Sequence, residues 1–269
     1  MNFPPAFPGW LAAVIATLVV LSFTIYASLL REVLRHGGKI SAREFDLPDL
    51  FLGSFFAAWF GIAIARGLHA ESRPITDREM IHGALVFLGL VAGIAGFLRY
   101  RGIAIARQFG MRWTLLLKTL LAPAFILVAY PALALVSRLT EVALGPRAEP
   151  QPLVKFFLEA AEKSNHTTIA ITLLLGVIVA PFTEEFLFRG YLYGVMKRYC
   201  GILPAMMLSS ALFAAIHLNL SSLPALFLLA LCLAIAYETT GSILVNMSMH
   251  ALFNLTMFLL MLKLPHHLP

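Results

Sequence analysis

Two adjacent glutamates, Glu184 and Glu185, stand inside an apolar run from Thr168 to Met196. An ionised carboxylate within a bilayer costs about 2.5–3.5 kcal/mol on insertion scales, so each needs a partner, a wet cavity or a proton. Arg189 follows Glu185 by four residues, one helical turn, so the two share a face and can form a charge-assisted pair. Glu184 is rotated by about 100° from Glu185 and has no basic residue at helical spacing, so its partner must come from another helix. Pro181, just ahead of both, removes a backbone donor and can bend the helix to open space beside the carboxylate.

Two further polar sets lie in apolar runs downstream. Phe213 and His217 are four residues apart, and Asn246, His250 and Asn254 repeat at four-residue spacing down one helix face. A histidine and an asparagine in mid-span must bond to other helices, which sets His250 and Asn254 apart; Asn246 alone reads as interhelical glue. Glu238, beside Thr239, Thr240 and Gly241, reads as a solvated loop acid. His36, His69, His82, His166, His266 and His267 fall in loops, at span ends or in the tail, and no role is assigned to them.

Together, a carboxylate, two histidines and an asparagine suit one chemistry. Glu184 and a histidine converging on one water can take its proton. A His with an Asn amide can donate to the oxyanion formed when that water attacks a carbonyl. A second arrangement stays open, a His2Glu zinc site in which Glu184, His217 and His250 bind the metal and water fills the fourth position. No local HExxH spacing decides between them.

These residues need a scaffold, and composition says which. Of 269 residues 60% are hydrophobic and only 13% charged, with a mean hydropathy of +0.85. A soluble domain carries about 25% charged residues, so a water-soluble globule is excluded. Runs of about 20 apolar residues can cross a bilayer, and eight are legible: Trp10 to Leu30, Leu50 to Ala65, Met80 to Leu98, Leu115 to Ser137, Thr168 to Met196, Gly201 to Leu218, Leu223 to Tyr237 and Ser242 to Leu262. The expected fold is all-α and polytopic, with about eight transmembrane helices and the site in the last four. The first span lacks the basic flank and cleavage site of a signal peptide and reads as a retained helix.

Between Gly145 and Asn165, apolar Leu153, Phe156, Phe157 and Ala160 alternate with Lys155, Glu159, Glu162 and Lys163, the pattern of an interfacial amphipathic helix. No polar linker divides the chain. The expected organisation is N-terminal helices with the interfacial helix over residues 1–164, a core over 165–262 and a short tail over 263–269. Cys200 and Cys232 read as reduced packing residues rather than a disulfide framework.

The formal charge of +6 is unevenly spread. Arg99, Arg101, Arg107 and Arg112 fall in an acid-free stretch, and Lys197 and Arg198 form a second cluster. Basic residues beside spans face the cytoplasm and meet anionic lipid. Odd-numbered loops hold ten Lys or Arg against eight in the even loops and tails, which favours both termini outside. No basic stripe interleaved with aromatics is present, so nucleic acid is not an expected partner.

The motifs resemble a known family. Glu184-Glu185-Phe186-Leu187-Phe188-Arg189 reads EExxxR, Phe213 to His217 reads FxxxH, and His250 to Asn254 reads HxxxN, in order and in separate helices. This is similar to the CPBP intramembrane proteases, which include CAAX prenyl endopeptidases and bacteriocin-processing or immunity proteins. The resemblance covers roughly Thr168 to Leu262. It implies that Glu184 activates water with His217, that His250 and Asn254 polarise the scissile carbonyl or hold the oxyanion, and that Glu185, Arg189 and Phe213 support them. The family has been described both as metalloproteases and as glutamate-dependent enzymes, so zinc stays open as a cofactor.

The implied protein is an intramembrane endopeptidase acting near the membrane surface on prenylated or other C-terminal peptides, in the plasma membrane of a prokaryote. Its expected partners are lipids and a peptide or lipidated protein substrate. Two other classes remain: a non-catalytic scaffold or immunity protein, and a proton-coupled transporter using Glu184 and His217 as relays. Transporters tend to carry broken helices in two similar halves, whereas the polar residues here gather in the last four spans.

Overall fold

The computed structural model describes residues 8–67, 69 and 75–263, so His266, His267 and most of the expected tail lie outside the described residues. Among the described residues nine principal helices carry the chain: α1 Gly9–His36, α2 Leu47–Gly67, α3 Asp77–Tyr100, α4 Ala122–Leu144, α5 Pro152–Glu162, α6 His166–Cys200, α7 Ile202–Ala215, α8 Leu223–Thr240 and α9 Ile243–Lys263. A helical turn at Ile105–Gln108 and a 3-10 stretch at Trp113–Leu121 lead into α4. No strand occurs among the described residues.

Seven of these helical stretches are long and apolar enough to cross a bilayer, and the chain is an integral membrane protein. The sixth expected span is α7, a shorter apolar helix of 14 residues. At 1.5 Å per residue it covers about 21 Å, short of a hydrocarbon core of about 30 Å. The expected amphipathic helix is α5, which buries Phe157 and Ala160 and leaves its charges outward.

Local chemistry sets the helix ends. Thr76 and Glu79 form a reciprocal capping box at the start of α3, Thr76 Oγ1 accepting from the Glu79 N–H at 3.3 Å and Glu79 Oε2 accepting from the Thr76 N–H at 2.9 Å. Asn165 caps α6 by accepting from the Thr168 N–H at 3.3 Å. Leu218, one residue past His217, has φ 52°, a left-handed conformation that a leucine rarely adopts, and the chain turns sharply there. Its side chain fills the space that a Cβ on Gly67 would take.

Inter-helix bonds sort the ends into two faces. On one, Lys197 Nζ donates to the Ile40 carbonyl at 2.6 Å, Lys118 Nζ to the Thr240 carbonyl at 2.5 Å, and the Ile243 N–H to the Phe109 carbonyl at 3.0 Å. These join the α1–α2, α3–α4, α6–α7 and α8–α9 connections on what is here the basic face. On the other, Thr168 Oγ1 donates to Asp77 at 3.0 Å and Asn219 Nδ2 to the Glu149 carbonyl at 3.0 Å. Eight passes counting α7 therefore return the last helix to the side on which the first begins.

The core lies around α8, 61% of whose span is buried, against 11% for α1, 22% for α2 and 17% for α3. The outer helices turn Leu, Ile, Val and Phe outward because lipid is as apolar as those side chains. Cys232 is buried as expected, but Cys200 is exposed at the basic end of α6.

Candidate active site

The α6 rod is not a uniform α-helix. Two π segments, Leu175–Val179 and Glu185–Leu192, flank a short α segment at Ala180–Glu184. Pro181 is the second residue after the first. A proline clashes with the carbonyl four residues back and leaves it without a donor; the wider π turn accommodates both effects, and such turns gather at functional sites. The helix thus passes the proline by a change of winding, and the segments that carry the two glutamates pack against α3, α7 and α9.

Glu185 and Arg189 form the ion pair that their spacing predicts: Arg189 Nη1 donates to Glu185 Oε1 at 2.8 Å, and both side chains are almost wholly buried. Two groups from α9 complete the surroundings of that carboxylate. His250 Nδ1 lies 2.9 Å from the same Oε1, and Asn246 Nδ2 lies 3.4 Å from Oε2 while donating to the Leu233 carbonyl of α8 at 2.8 Å. Asn246 is therefore both interhelical glue and a neighbour of the carboxylate. The Arg189 guanidinium lies over the Phe213 ring, 4.3 Å from its centroid.

Glu184 points differently, as its rotation requires. Its side chain is 20% exposed, and its Oε2 lies 4.0 Å from His250 Nε2. His250 thus stands between the two glutamates. The contact with Glu185 holds one ring nitrogen, and the other faces Glu184.

His217 enters from the end of α7. It lies two residues past Ala215, the last residue of α7, and is partly buried. Its Nδ1 lies 2.7 Å from the Phe213 carbonyl, which assigns Nδ1 as the donor and leaves Nε2 unprotonated in the neutral ring. Phe213 is wedged between the two histidines, with ring centroids 4.9 Å from His217 and 5.8 Å from His250. Asn254 is turned toward α6 instead, where its Nδ2 donates at 2.7 Å to the carbonyl of Gly176, inside the first π segment. One face of α9 thus reads along α6, with Asn246 and His250 on Glu185 and Asn254 on the π turn.

The zinc arrangement fits less well. Among the described residues no three His, Cys, Asp or Glu side chains are grouped so as to hold a metal ion. Glu184 Oε2 and His250 Nε2 stand 4.0 Å apart, and no step below runs through a metal.

Glu238 corrects the sequence reading. It is 1% exposed rather than solvated, and its carboxylate takes Tyr193 Oη at 2.5 Å, the Ile40 N–H at 3.1 Å and the Lys197 ammonium. A legible signal existed: Glu185, Arg189, Tyr193 and Lys197 form an unbroken four-residue series along α6, which needs polar partners over its whole length.

Comparison with known proteins places the same region. Residues 166–256 match a family model described as Type II CAAX prenyl endopeptidase Rce1-like, and that stretch contains all three motifs. The match agrees with the CPBP resemblance. An uncharacterised 24.3 kDa protein of Escherichia coli is 38% identical over 113 residues, a stretch that covers 40% of this chain and 50% of that protein. No solved structure is significantly similar to the chain.

Proposed function

We propose that this protein, whose C-terminal region is similar to type II CAAX prenyl endopeptidases, is an intramembrane endopeptidase that hydrolyses a peptide bond with a water activated by Glu184. The observation that carries the reading is the division of labour between the adjacent carboxylates. Glu185 is engaged by Arg189, His250 and Asn246, whereas Glu184 is partly exposed and its carboxylate makes no hydrogen bond among the described residues, with His250 Nε2 4.0 Å away. A carboxylate with unused acceptor capacity beside a fixed imidazole is the group able to take a proton from water.

In this reading Glu184 removes a proton from water while His217 Nε2 holds that water by accepting its other hydrogen. The hydroxide oxygen attacks the scissile carbonyl carbon, and the oxyanion is met by donors from α9, His250 and the second Asn254 N–H. The C–N bond then breaks as Glu184 returns its proton to the leaving amine, so no proton is gained or lost by the protein. Arg189, Asn246 and Phe213 are positioning residues, acting through Glu185 and the histidines. The basic face lies in the cytoplasm of a prokaryotic cell, following the bias of Lys and Arg. Substrates are C-terminal peptides held at the membrane, prenylated ones among them.

The test is peptide release from a quenched library of membrane-anchored and prenylated C-terminal peptides by the purified chain in lipid. Glu184→Gln and His217→Ala are expected to lower turnover by about 10²–10⁴-fold while the protein still folds and inserts. Retained cleavage in both variants would sink the assignment.

A further inference from the structure

A second polar site lies away from the glutamates, at the basic face. The α1–α2 connection, the Ile105–Gln108 turn with the residues just before it, and the α8–α9 turn line a partly open cavity of about 220 Å³. Lys39, Glu44 and Arg107 line it beside Ile40, Gln108 and Gly241. Its frame is fixed. Lys39 Nζ donates to the Thr239 carbonyl at 2.5 Å, Gln108 Nε2 donates to the Ser41 carbonyl at 2.7 Å, and Ile40 is held by Glu238 and Lys197.

Two features of this cavity point to a ligand. Glu44 and Arg107 both line it and both are exposed, yet neither forms an ion pair with the other or with any group among the described residues. Opposite charges on one cavity that do not close on each other suit a molecule bearing both signs at separate ends. The second feature is a pair of exposed aromatic residues on either side of its wall in sequence. Tyr100 and Trp113, 91% and 87% exposed, flank in sequence the wall residues 102–108, and aromatic side chains of this kind anchor spans at the membrane–water boundary.

We propose that this cavity binds the phosphoethanolamine headgroup of a phospholipid. Arg107 and the two free protons of Lys39 take the phosphate, and Glu44 takes the ammonium. Arg offers a planar, always-charged fork for phosphate oxygens. The ligand ties the α1–α2 connection and the Ile105–Gln108 turn to Gly241, the turn from which α9 carries Asn246, His250 and Asn254 toward the glutamates. The inference is independent of the hydrolytic reading.

The experiment uses the full chain, purified in detergent and stripped of lipid, and measures saturable binding of dihexanoyl-phosphatidylethanolamine, dihexanoyl-phosphatidylglycerol and free O-phosphoethanolamine. Wild type and the surface control Arg35→Gln, at the same face but outside the cavity, should bind the phosphatidylethanolamine equally. Arg107→Gln and Glu44→Gln should each weaken that binding about tenfold, the cost of one charge-assisted contact. Undiminished binding in Glu44→Gln, or phosphatidylglycerol binding as tightly as phosphatidylethanolamine, overturns the assignment of a zwitterionic ligand. Free O-phosphoethanolamine binding as tightly as the lipid overturns the membrane source, and absence of saturable lipid binding overturns the site.

Discussion

Glu185 Oε1 and His250 Nδ1 stand 2.9 Å apart in a buried contact between helices whose residues are 65 positions apart in the chain. That contact fixes the imidazole and decides what its other nitrogen sees, which is Glu184. Two neighbouring carboxylates therefore acquire opposite roles. One is engaged by three partners, and the other keeps unused acceptor positions.

Stability should divide along the same line. Glu185→Gln strips the buried Arg189 of its counter-charge and is expected to destabilise the protein by about 3–5 kcal/mol. Glu184→Gln removes no ion pair to a basic side chain other than the distant His250 contact and should cost less than about 1 kcal/mol. Denaturant unfolding of both variants in detergent checks the contrast; equal destabilisation would contradict the division.

The Glu238 network joins the N-terminal helices to the core, since Ile40 belongs to the α1–α2 connection, Tyr193 and Lys197 to α6 and Glu238 to α8. Glu238→Ala leaves a buried ammonium and a hydroxyl without their partner, and a loss of about 3–5 kcal/mol is expected. Tyr193→Phe removes one donor to a charged acceptor and should cost about 1.5–3 kcal/mol. Thermal unfolding of both ranks them, and a neutral Glu238→Ala would refute the burial.

Sidedness can be read from the native thiols. Cys200 is exposed at the basic end of α6, and Cys232 is buried. In whole cells a membrane-impermeant maleimide should leave the protein unlabelled, and permeabilisation should add one label, lost in Cys200→Ser. Labelling of intact cells would place the basic face outside.

Metal dependence separates the two chemistries open at the level of sequence. With no three ligand side chains grouped among the described residues, hydrolysis is expected to survive exhaustive chelation. Loss of peptide release on chelation, restored by zinc alone, would reinstate the His2Glu site.

Solvent and element types were legible in the residue order, because a bilayer demands runs of about 20 apolar residues and makes each intramembrane charge conspicuous. So was the Glu185–Arg189 pair, since both residues lie on one helix and their spacing alone brings them together. What Glu184 faces was not legible there, because it depends on how α9 docks against a π-wound α6. That docking likewise turned Asn254 to the Gly176 carbonyl and drew Asn246 onto Glu185. Glu238 shows the same limit. Its place at a span end permits either water or burial, and the choice was made by Tyr193, Lys197 and Ile40, partners from other segments that converge on it only when the helices pack. Periodicity describes one helix at a time, whereas a site in a membrane bundle is built from the faces that several helices turn toward each other.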